Sequence, residues 1–232
     1  MTLSEANGVA GSYSSTSIAA TSFSAGVATA TPTFSFTTIP TIFSVIKPRI
    51  TDADGVSSSA GIEGTANLYS GRLGISNAFG SGGSALQMPV RAYYWSGKSW
   101  VTNSTDSCTT IPATAIALSN YLDSKGAATN YWTTTASGPG RLANGLATIT
   151  LAKPSPASTG SVSVAINLGV TSTDSSCLST HPATTGSSNA YLRGRYGNCA
   201  ASSTYTADPL AIATFGVYTP ESKKTVHIRE IF

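Results

Sequence analysis

The clearest hydrophobic alternation in the chain runs through LQMPVRAYYW, where Leu86, Met88, Val90, Ala92 and Tyr94 fall on one side of an extended segment and Gln87, Pro89, Arg91, Tyr93 and Trp95 on the other. A period of two marks a strand with one buried face. Ser96, Gly97, Lys98 and Ser99 break the run before Trp100 and Val101, which predicts a hairpin with an aromatic pair near its mouth. Upstream, Leu73 and Ile75 alternate with Arg72, Gly74 and Ser76. The glycine-containing loop 77–84 predicts a second reversal, so three antiparallel strands are expected in chain order.

The same period returns where Val162, Val164, Ile166 and Leu168 alternate with Ser161, Ser163, Ala165 and Asn167, the second half-buried strand. Further strands are expected over 115–121, 131–135, 146–151, 189–197 and 211–218, on apolar alternation or β-branched and aromatic preference. The end, 224–232, places Val226, Ile228 and Phe232 on one face with Glu230, and the turn 219–222 would pair it with 211–218 as a hairpin. Glu230 would then meet an arginine such as Arg72 or Arg193. Among the first fifty residues one to three strands are expected around Phe34, Phe36 and the apolar run 39–46, with Pro40 at a sheet edge and disorder over the first dozen residues. The connection 171–189 is long enough to be either functional or disordered.

These patterns specify an all-β protein, an antiparallel β-sandwich or two small β modules with little helix, and 232 residues suffice to bury a core. Composition adds the setting. Charged residues are 10% of the chain against about 25% in an average soluble domain, and Ser, Thr, Ala and Gly fill the difference. That balance points to a secreted or cell-surface protein. The lysines and arginines are scattered, so no nucleic-acid partner is expected. No apolar run is long enough for a membrane span. Met1 is read as the start of a piece whose natural chain continues upstream.

Candidate chemistry is sparse. Cys108, Cys177 and Cys199 leave one cysteine over. A disulfide between Cys177 and Cys199 is expected, with Cys108 buried or paired outside the segment; three free thiols are the alternative. Asp52 and Asp54 in TDADG have the spacing of half a calcium loop, but the rest of that pattern is missing and an Asp/Gly turn is expected instead. With His181 and His227 the only histidines and no G-x-S-x-G elbow, a hydrolytic triad is not expected. No facing carboxylate pair of a glycosidase is recognisable, no zinc-ligand spacing occurs, and no cofactor is expected. Exposed aromatics remain as a binding device, with Trp95 and Trp100 the candidate ligand-stacking residues.

The stretches GRLGISNAFGS, AYYWSGKSWVTNSTDSCT, YLRGRYG, DPLAIATFGVY and VHIREIF resemble the C-terminal region of bacterial surface proteins of the MshQ type, linked to biogenesis of the mannose-sensitive haemagglutinin (MSHA) pilus. The resemblance covers 62–232 and divides the chain into a Ser/Thr/Ala-rich N-terminal β segment or small module, 1–61, and a C-terminal β domain, 62–232. It implies an exported protein acting as a non-enzymatic structural or adhesive part of a type IV pilus-associated or other surface assembly. The implied partners are assembly proteins. Glycans are the second class of partner, the alternative being a carbohydrate-binding module.

Overall fold

In the computed structural model, which describes residues 1–37, 43–59, 61–172, 184–194 and 206–216, the chain is all-β. Short 3-10 turns are the helical elements among the described residues. The chain forms two compact units: Met1–Gly71 with Tyr94–Val101, and Arg72–Tyr93 with Thr102–Phe232.

The first unit carries β1 (Thr2–Glu5), β2 (Gly11–Tyr13), β3 (Phe34–Phe36), β4 (Ser44–Ile46), β5 (Pro48–Thr51) and β6 (Ala66–Leu68). They pair antiparallel as β1 with β5, β2 with β3 and β4 with β6. The first dozen residues are therefore ordered, against expectation. Strand β1 is fixed by a partner far along the chain, Leu3 opposite Ile50, and no local pattern announces that pairing. Its apolar core is thin, with Leu3 and Ile46 buried and Tyr13, Phe34 and Phe36 half-buried in an edge-to-face row with centroids 5.0 and 5.2 Å apart.

The chain continues with β7 (Gly71–Ile75), β8 (Ala78–Ser81), β9 (Leu86–Trp95), β10 (Trp100–Thr102), β11 (Thr110–Ile111), β12 (Ile116–Asp123), β13 (Ala136–Ser137), β14 (Gly140–Arg141), β15 (Leu146–Leu151), β16 (Gly160–Ile166) and β17 (Leu210–Gly216), which make up the second unit except for Gly71 and the hairpin tip Tyr94–Val101, part of the first. One sheet has the order β10-β9-β15-β13, with β7 also on β9; a second has the order β12-β16-β17-β8. The alternation in β9 falls as expected, Leu86, Met88, Val90 and Ala92 buried and Gln87, Pro89 and Arg91 exposed. In register with it, Ile149 of β15 faces Met88 and Leu151 faces Leu86. From the other sheet, Val162, Val164 and Ile166 of β16 and Ala211, Ala213 and Phe215 of β17 join the same buried cluster. Two one-sided sheets sharing one apolar layer make this unit a β-sandwich.

Three expectations are corrected. Loop 77–84 is not a plain reversal, because it holds β8, which lies in the other sheet and runs parallel to β17 with Ala78 opposite Ala213. Asn77 anchors that long-range contact by accepting the Ile212 amide proton on Oδ1 at 2.8 Å. Both edges of β17 are thereby occupied, by β16 and β8. The strand 224–232 expected to pair with 211–218 lies outside the described residues. Residues 131–135 form no regular strand. Thr133 makes an isolated bridge to Ser155, while Trp132 plugs the core edge-on to Tyr121 at 4.9 Å and to Phe215 at 5.9 Å. Its aromatic character served burial, not extension. Finally, Ala190–Leu192 is a 3-10 turn, and Gly194 regains a bridge only with Ala207.

Strand β12 carries a bulge, since Ser119 pairs with Ser163 but Leu122 with Ser161. Asn120, at φ 53°, takes the left-handed conformation there, which asparagine tolerates better than most residues. Opposite the bulge, a Cβ on Gly160 would collide with the Leu122 carbonyl oxygen, so this position requires glycine.

Phe215 is 1% exposed in the middle of the layer. In urea unfolding, Phe215→Ala is expected to cost about 3–5 kcal/mol. Tyr131→Ala, at a site 67% exposed, should stay within about 0.5 kcal/mol of wild type. Equal effects would contradict the assigned core.

Candidate functional site

The hairpin tip holds the aromatic residues singled out from sequence. Its turn is closed by Ser96, whose amide donates to the Ser99 carbonyl at 3.0 Å and whose hydroxyl donates to the same oxygen at 2.9 Å, with Gly97 at φ 90° permitting the reversal. Trp95 and Trp100 consequently face each other across the two strands, with ring centroids 5.5 Å apart and planes inclined by 57°. Both are half-buried. Such a pair locks the hairpin mouth, and each ring gives part of one face to the other.

Tyr94 points to the opposite side of β9 and meets Tyr69 at 5.1 Å, which in turn meets Phe43 at 4.9 Å. Tyr69 is 53% and Phe43 41% exposed, so this row offers more open ring surface than the tryptophans. Sequence reasoning missed it. Phe43 and Tyr69 approach because Ser44 pairs with Leu68 in β4 and β6, a register that neither short strand declares.

The carboxylates define the rest of the first unit's chemistry, and Glu5, Asp52 and Glu63 are each engaged by their own fold. Glu5 accepts backbone protons from Asn7 at 3.0 Å, Val9 at 2.7 Å and Lys47 at 2.9 Å. Burial pushes its pKa up, but these amides outweigh that and hold it below the usual value. Glu63, whose side chain is 1% exposed, takes a two-pronged contact from Arg49, Nε at 2.6 Å and Nη2 at 3.1 Å, with Ser58 donating at 2.9 Å and Lys47 Nζ at 3.8 Å. The Arg49 hydrogen bonds depress its pKa. Asp52 accepts the Asp54 and Val56 amides on Oδ1 at 3.0 and 2.8 Å, which makes TDADG the Asp/Gly turn its sequence suggested, with Gly55 at φ 83°.

In the second unit Asp106 is buried and closes its loop by accepting from Thr109 N at 3.0 Å, Thr109 Oγ1 at 2.8 Å and Cys108 N at 3.2 Å. Burial raises its pKa; the Thr109 and Cys108 bonds more than reverse this. Asp123 likewise caps the turn after β12 through the amides of Ala127 and Lys125, which lower its pKa. Asp208, fully buried, accepts from Arg193 Nε at 2.9 Å and from the Leu168 amide at 3.2 Å. Arg193 thus serves Asp208, an acid the sequence reading overlooked, although an Asp directly before Pro209 is a recognisable turn signal. The D-x-x-T spacing of Asp106 and Thr109 is a comparable signal. Carboxylates bonded in this way hold loops and turns in place.

Cys108, expected to be buried or paired outside the segment, is exposed, with Sγ 3.6 Å from Asp106 Oδ1. Cys177, Cys199, His181 and His227 lie outside the described residues. Among the described residues no three His, Cys, Asp or Glu side chains converge as metal ligands. No helix among them is long and apolar enough to cross a membrane. The family profile described as DUF6701, fourth domain, matches residues 69–231. No curated protein and no solved structure is detectably similar to the chain.

Glu5 and Glu63 both have folded pKa values below their unfolded ones. Their contribution is therefore present above the unfolded value near pH 4.3 and is lost as the pH falls through the lower folded values. The first unit should hold its stability from about pH 7 to about pH 5 and then lose it, followed by NMR signals of β1 and β5. Glu63→Gln should lower the melting temperature at neutral pH and flatten the acid limb. An unchanged acid limb in this variant would contradict the assignment.

Proposed function

Because the chain belongs to the DUF6701 family, as its fourth domain over residues 69–231, we propose that it is a non-enzymatic structural or adhesive component of a bacterial surface assembly, of the MshQ-like kind that accompanies type IV pili. The observation that carries this reading is the use to which the acids are put. Asp106, Asp123 and Asp208 of the sandwich, like Glu5 and Glu63 of the first unit, are bonded to the backbone or to an arginine that they fix in place. Polar groups spent in this way make a rigid building block. A surface hydrated mainly by hydroxyls fits an extracellular location, and the partners would be proteins of the pilus or another surface assembly.

A second reading, a carbohydrate-binding module, is favoured by the Trp95–Trp100 pair and by the exposed rings of Tyr69 and Phe43. An aromatic face can stack on the apolar face of a sugar. On the structural reading, deletion of residues 69–231 in the native host should abolish or destabilise surface pili counted by electron microscopy, while the purified protein binds nothing on a glycan array. Unchanged pili and adhesion would overturn it. Array binding that disappears in Trp95→Ala, with an unaltered fold, would establish the second reading in its place.

A further inference from the structure

Between Glu5 and Lys47 the chain contains no charged residue. Every serine and threonine from Ser12 to Thr37 is nevertheless exposed. The segment joining β2 to β3 has little regular structure, a 3-10 turn at Ala20–Ser22 and one bridge between Ser24 and Val27. Among the described residues only Ser14 and Ser15 use their hydroxyls in hydrogen bonds there, Ser14 accepting from the Thr33 amide at 2.9 Å and Ser15 donating to the Ser17 carbonyl at 3.2 Å. The Ser14 amide also donates to the Thr33 carbonyl at 2.8 Å, so residues 14–17 and 31–33 lie side by side. Between them opens a shallow cleft of about 210 Å³, lined by Ser14, Ser15, Ser17, Thr31 and Pro32 with Leu3 and Ile18 beneath.

Proline fixes φ at position 32, supplies no amide proton and biases Thr31 before it towards extended backbone, and 31–33 carry no regular secondary structure. Extended, exposed, uncharged Ser/Thr sequence with proline is the composition of O-glycosylated stalks. It also answers a physical need, since a surface without charge has weak protection against self-association. We propose that this excursion is a site of O-linked glycosylation, with Thr29, Thr31, Thr33 and the hydroxyls of residues 14–17 as acceptors. The cleft seats the first sugar.

In the reaction the hydroxyl oxygen attacks the anomeric carbon of a nucleotide- or lipid-diphosphate sugar held by a glycosyltransferase. A carbon–oxygen bond forms there, the bond to the diphosphate breaks with its electron pair, and the hydroxyl proton passes to a base of the transferase. The inference rests on the reading of the chain as a surface protein, and the test separates the two. Trypsin spares the Lys47–Pro48 bond and finds no other site between residue 1 and Arg49, so the whole excursion is released within the single tryptic peptide that ends at Arg49. From the cell-surface fraction of the native host, this peptide is expected to be heavier by whole sugar residues and to lose them on β-elimination. Replacing Thr29, Thr31 and Thr33 with valine should remove at least part of that mass. An unmodified peptide from surface-located protein overturns the inference alone; an unmodified peptide from protein confined to the cytoplasm overturns it together with the surface reading.

Discussion

One apolar layer holds the second unit together. Val162, Val164 and Ile166 of β16 are fully buried, and so are Met88 and Val90 of β9 and Ile149 and Leu151 of β15. Each such side chain is worth roughly 1.5–3 kcal/mol when fully buried. That gain exists only while the sheets face each other, because either sheet alone would present its branched aliphatic row to water. The other features of the unit follow from keeping the layer closed: the glycine at 160 that lets β16 approach the bulge, the Trp132 plug, and the parallel β8 on the outer edge of β17.

Where strands end, buried polar groups replace ladders. Asn167 donates from Nδ2 to the Thr171 carbonyl at 3.0 Å and Thr184 Oγ1 at 3.3 Å, and accepts the Gly169 amide at 2.8 Å. Asn189 donates to the Thr110 carbonyl at 2.9 Å and accepts from the Tyr191 hydroxyl. Together with the Asp208–Arg193 pair, these side chains stitch residues 167–171, 184–194 and 206–209 to the sandwich. An amide or carboxylate removed from water is costly unless its partners are present, so this network specifies one arrangement of the loops. The first unit uses the same device with less apolar support, through Glu5 and Glu63 around Lys47 and Arg49.

What could be read from sequence was whatever depends on neighbours within a strand. The boundaries of β9 and β15, and the buried face of β16, follow from side chains two residues apart. Pairings across the chain were not legible. Strand β8 has four residues, three of them small, and its partner β17 lies far along the chain, so a run with three glycines looked like a turn. Trp132 misled in the opposite sense, because the residues favoured in strands are also those that fill cores. For the candidate site, alternation correctly brought Trp95 and Trp100 to one hairpin. The Phe43–Tyr69–Tyr94 row depends on the register of two three-residue strands and left no periodic trace.

The two sheets of the second unit should therefore open as one cooperative body, and native-state hydrogen exchange measures this directly. Amides of Met88 and Ile149 in one sheet and of Val162 and Val164 in the other are expected to share a single opening free energy and a single dependence on denaturant. Two separate free energies, with one sheet exchanging while the other stays protected, would contradict the shared apolar layer as the interaction on which this unit depends.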